Sequence, residues 1–89
     1  MSKPKYVQTL VIDLAAGQTY TEPKGAMAVA VNNYGTVDIT INGGPVKAGQ
    51  PANIVAPDGW RLLETEITLP AGAQASAIIM RPLKECEND

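Results

Sequence analysis

Apolar residues in this chain recur at every second position in short runs, and each run is cut by glycine, proline or asparagine. Leu10, Ile12 and Leu14 alternate with Thr9, Val11 and Asp13, the period of a strand with one buried face. Met27, Val29 and Val31 alternate with Ala28, Ala30 and Asn32, and Val37, Ile39 and Ile41 with Asp38, Thr40 and Asn42. Ala75, Ala77 and Ile79 alternate with Ser76, Ile78 and Met80, so both faces of that last run are apolar. No segment shows a helical period. Such a pattern predicts an all-β domain.

The punctuation supports that reading. Leu14-Ala15-Ala16-Gly17-Gln18, Val46-Lys47-Ala48-Gly49-Gln50 and Leu69-Pro70-Ala71-Gly72-Ala73 share one turn chemistry, small residue into glycine, and glycine reaches positive φ without steric cost. Tyr6–Leu14 reads as a strand and Gln18–Thr21 as a brief edge segment. The runs on either side of Asn33-Tyr34-Gly35 read as a hairpin, and Asn42-Gly43-Gly44-Pro45 as a second turn in which Gly44 is expected at positive φ. Pro51 and Pro57 confine Ala52–Val55 to an edge, because proline cannot donate to a ladder. After the turn Pro57-Asp58-Gly59, Leu63, Thr65, Ile67 and Leu69 share the buried face of a strand while Trp60 and Leu62 fall on the other. The predicted fold is all-β, a small sandwich or jelly-roll-like barrel of about seven or eight short strands.

With 89 residues the chain reads as an N-terminal arm (1–5), one β domain (6–81) and a polar C-terminal tail (82–89). A domain this small is expected to bury only about 60–65% of its unfolded surface, which leaves a thin core and favours help from a neighbour. The formal charge of −2 and the scattered lysines argue against nucleic acid as a partner. The lone Cys86 excludes an intrachain disulfide. The start Met1-Ser2-Lys3-Pro4-Lys5 lacks the apolar run of a signal peptide, and no stretch has the apolar length of a membrane helix, so a cytoplasmic site of synthesis and no membrane are expected.

Chemistry is nearly absent. The sequence contains no histidine, which removes the commonest general base and metal ligand. No enzyme activity, catalytic residue, metal or cofactor is predicted. Glu64 and Glu66 read as a solvated strand face, and Asp13, Asp38 and Asp58 as surface or turn carboxylates. Trp60 reads first as the large side chain that plugs a core short of aromatics. The candidate interface residues are Tyr34, Trp60, Leu62, Ile78 and Met80, the last two because one of the two apolar faces of the final run has no room in a single thin core.

The run Ala30-Val31-Asn32-Asn33-Tyr34-Gly35-Thr36-Val37-Asp38-Ile39-Thr40-Ile41-Asn42-Gly43-Gly44, with Ala48-Gly49-Gln50 and Pro57-Asp58-Gly59, resembles small β-sandwich structural proteins of bacteriophage virions. The resemblance spans Tyr6 to Arg81 and carries over no functional residue. It implies a non-enzymatic virion protein, made in the host cytoplasm, that decorates or completes a capsid, vertex or head–tail assembly. The expected partners are further copies of the chain, a trimer foremost, and a larger capsid or tail protein. The alternative is a ligand-recognition module, for carbohydrate, built from the loops around Tyr34 and Trp60; a small enzyme subunit or regulatory domain is a third.

Overall fold

Strands form where the alternation places them: β1 (Val7–Leu14), β2 (Thr19–Glu22), β3 (Ala28–Asn33), β4 (Ile39–Ile41), β5 (Gly44–Val46), β6 (Pro51–Val55), β7 (Thr65–Thr68) and β8 (Ala75–Pro82). The structure, a computed structural model, describes residues 6–82; the arm, Cys86 and the tail beyond Pro82 lie outside the described residues. All pairings are antiparallel. They build two four-stranded sheets, sheet A in the order β1-β8-β3-β6 and sheet B in the order β2-β7-β4-β5. Successive strands change sheet at every connection except β4–β5, which is the strand order of an eight-stranded jelly roll.

The core lies between the inner faces. Sheet A supplies Leu14, Val29, Val31, Ala75, Ala77 and Ile79, sheet B supplies Ile39, Ile41, Val46 and Ile67, and Leu69 closes the layer just after β7. Alternation decides this: a one-residue slip of register would send the whole apolar set of a strand to the outer face.

Changing sheet at nearly every connection gathers four crossings at one end of the sandwich: 15–18, 34–38, 47–50 and 69–74. Gly17 N donates to Pro70 O (3.2 Å), Gly35 N to Gln74 O (3.1 Å) and Asn33 N to Gln50 O (3.1 Å). The three Ala-Gly segments are three of these four corners. In two of them a β-turn closes with Gln50 N on Lys47 O (3.0 Å) and Ala73 N on Pro70 O (3.1 Å). Gly17, Gly49 and Gly72 hold φ of +76°, +78° and +82°, a backbone state that other residues enter only with strain.

The fourth corner corrects a sequence expectation. β3 and β4 are not a hairpin: they lie in different sheets, and residues 34–38 cross between them. The buried Asn33 side chain makes the crossing possible, its Nδ2 donating to Val37 O (3.0 Å) and Val46 O (3.1 Å) while its Oδ1 accepts from Gly35 N (3.3 Å). A second correction concerns the true hairpin, β4–β5. Ile41 pairs with Gly44, so the two-residue loop is Asn42-Gly43, with φ of +50° and +83°, a type I′ turn. Gly44 lies in β5 and is not at positive φ.

At the opposite end, residues 23–27 and 56–64 brace each other through Gly25 N to Leu62 O (2.9 Å) and Leu62 N to Ala26 O (2.8 Å). These bonds hold residues 60–64 out of β7, which reverses the expected burial there. Leu62 packs against the core, Leu63 is 80% exposed, and Trp60, 69% exposed, is not a core plug.

Candidate interaction surface

The outer face of sheet A is built by the residues that alternate with the core. Register aligns Val11, Ile78, Ala30 and Asn53 in one cross-strand row and Thr9, Met80, Ala28 and Val55 in the next. Six apolar side chains therefore line up across four strands: Val11, Ile78, Ala30, Met80, Ala28 and Val55. Val11 is 74% and Ile78 44% exposed, with Met80 and Val55 also exposed. The rows nearer the Ala-Gly corners turn polar, with Asp13, Ser76 and Asn32 aligned. At the far end of the sandwich an open groove of about 370 Å³ lies among Met27, Ala56, Asp58, Trp60 and Arg61, of mixed polarity.

The sequence-predicted contacts divide. Ile78 and Met80 stand side by side in this strip, as the two-faced final run requires. Tyr34 lies in the 34–38 crossing and Trp60 in the loop at the other end, so these two aromatics form no shared platform. A stacking site that draws on both side chains is therefore not assembled on one face. Leu62 faces the core instead of solvent. Sequence reasoning passes over Val11 and Val55, although the alternation that sends Leu10 and Ile54 inward sends both of them out.

The described residues hold one buried charged cluster. Glu22, 1% exposed, accepts from Arg81 Nε (2.6 Å) and a second Arg81 guanidinium nitrogen (2.7 Å), and Tyr20 Oη donates to it at 2.7 Å. The fork is bidentate, which matches guanidinium to carboxylate geometry. Arg81 holds the Glu22 carboxyl below its usual range against the upward push of burial, and the Tyr20 hydroxyl adds to the lowering. Burial, then donation to Glu22, raises the Tyr20 hydroxyl. A carboxylate so fully engaged is a poor general base. It acts instead as a clasp between β2 of sheet B and β8 of sheet A.

Among the described residues, no three Asp, Glu or Cys side chains group so as to hold a metal, and no helix is long and apolar enough to cross a membrane. The chain matches no protein family, no curated protein and no solved structure. Fold and surface together define a jelly roll whose sheet A carries an apolar strip on its outer face.

Proposed function

We propose that this chain is a non-enzymatic structural protein of a virion, a jelly-roll unit that associates with copies of itself and decorates or completes a capsid, vertex or head–tail assembly. The apolar strip on sheet A carries the reading. Exposed apolar residues scattered singly are ordinary, whereas a contiguous strip spanning a whole sheet marks a contact. The thin core adds to this, because a domain of this size gains stability by covering surface with a neighbour. The jelly-roll topology agrees with a role in a shell, although it also hosts other functions and carries no weight alone.

Two measurements test the proposal: mass spectrometry of purified particles of the virus that encodes the chain, and the molar mass of the isolated protein. The expected results are the chain in the particles at a fixed copy number and a mass that is a multiple of 9.4 kDa. Absence from the particles overturns the virion role, and a monomer at high micromolar concentration overturns self-association.

A further inference from the structure

Among the described residues each sheet has two free edges, and three of the four are blunted. β2 is four residues long and is followed at once by Pro23, β5 is three residues long with Pro45 inside it, and β6 opens on Pro51. Short strands and prolines are the devices by which sheet proteins keep edges from pairing with other chains. β1 has neither. It runs eight residues, Val-Gln-Thr-Leu-Val-Ile-Asp-Leu, with no proline and no lysine, and among the described residues pairs only with β8. Every second residue therefore directs its N–H and C=O away from the protein.

We propose that β1 is a pairing edge for a second copy of this chain: two β1 strands lie antiparallel across a two-fold axis and fuse two A sheets into one eight-stranded sheet. The inference rests on the self-association proposed above and names the surface that performs it. A free ladder edge is satisfied by another extended strand, and β1 complements itself. Pairing with the core faces on the same side requires the axis to fall on a residue, since opposed residues must share a face. An axis on Val11 sets Val11 against its own copy, Leu10 against Ile12, Thr9 against Asp13 and Gln8 against Leu14, so one polar–apolar pair remains at each end of the ladder. An axis on Leu10 sets Thr9 against Val11, Gln8 against the core-facing Ile12 and Asp13 against Val7, three such pairs in place of one. The Val11 axis also joins the two apolar strips, because Val11 ends the row that runs through Ile78 and Ala30.

The test uses the full chain carrying Cys86→Ser, with Val11→Lys, Val11→Glu and Val11→Cys added singly. Val11 is largely exposed, so these variants are expected to fold. If β1 pairs with itself, Val11→Lys and Val11→Glu each halve the mass through like-charge repulsion across the axis. Mixing the two restores it, and Val11→Cys forms an intermolecular disulfide. Amide exchange separates edge pairing from face packing: alternate β1 amides are protected at least about tenfold in the assembled protein and lose that protection in Val11→Lys. An oligomer whose mass ignores these substitutions, or whose alternate β1 amides exchange as fast as in the monomer, overturns the edge while self-association stands. A protein that is monomeric at every concentration overturns both.

Discussion

Two regions of this jelly roll invert the usual pattern of polar outside and apolar inside, in opposite senses. Near Glu22 a charge is inside; on the outer face of sheet A a strip of Val, Ile and Met is outside. The first inversion is complete within the chain, because Arg81 and Tyr20 occupy the Glu22 oxygens at 2.6 to 2.7 Å. The second has no partner within the described residues. Sheet B shows that the fold does not demand it: Thr19, Thr68 and Thr40 align across its outer face beside Thr21 and Glu66, and Thr19 and Thr68 share a hydroxyl contact of 3.3 Å. A satisfied inversion belongs to the fold, whereas an unsatisfied one points beyond the chain.

Breaking the clasp is expected to give the largest effect on folding. Arg81→Met strands a buried carboxylate and is predicted to cost on the order of 3 kcal/mol, the low end for losing one partner of a buried pair, because the Arg81 side chain is itself 37% exposed. The pH dependence then changes sign. In the wild type Glu22 titrates lower folded than unfolded. Its contribution is thus present above about pH 4.3, the usual glutamate value, and is lost as pH falls through the folded value. In Arg81→Met burial dominates and lifts the carboxyl, so that stability rises on acidification. Urea melts from pH 3 to 8 check both slopes; parallel curves for the two proteins would mean that the clasp is not coupled to folding.

Asn33→Ala is expected next, at roughly 2 kcal/mol, because it removes two donors and leaves the carbonyls of Val37 and Val46 without them. Thermal melting that finds less than about 0.5 kcal/mol would mean that water replaces the amide at this corner. A smaller effect separates two adjacent glycines. Gly43→Val forces a β-branched residue to φ +83° and is predicted to cost about 1 kcal/mol or more. Gly44→Val is predicted to cost less, since its Cβ would meet only Ile41 O at 3.4 Å. Equal losses in chemical denaturation would contradict the assignment of the turn to Asn42-Gly43.

What is legible in the sequence follows from what alternation can and cannot encode. It encodes which side of a strand is buried, so parity alone assigns Leu10, Val29, Ile39 and Ile79 to core faces. It does not encode which strands pair. A hairpin and a corner use the same residues, and Asn33-Tyr34-Gly35 reads as the first although the Asn33 side chain makes it the second. The clasp is hidden because Glu22 beside Pro23 looks like a turn residue. Its parity with Tyr20, and that of Arg81 with Ile79, is nevertheless a usable signal. Leu62 and Leu63 exchange their expected places because backbone bonds to residues 25 and 26, set by the far part of the chain, keep residues 60–64 out of the strand.

On the outer face of sheet A the smallest effect on the monomer should accompany the largest effect on assembly. Val11→Lys places a charge on a side chain already exposed, so the fold is expected to hold within about 0.5 kcal/mol, while a charge buried in a contact is costly. Sedimentation equilibrium of the wild type, Val11→Lys and Thr68→Lys at high micromolar concentration tests the central claim most directly. The account predicts an oligomer for the wild type and Thr68→Lys and a folded monomer for Val11→Lys. One mass shared by all three proteins would contradict it.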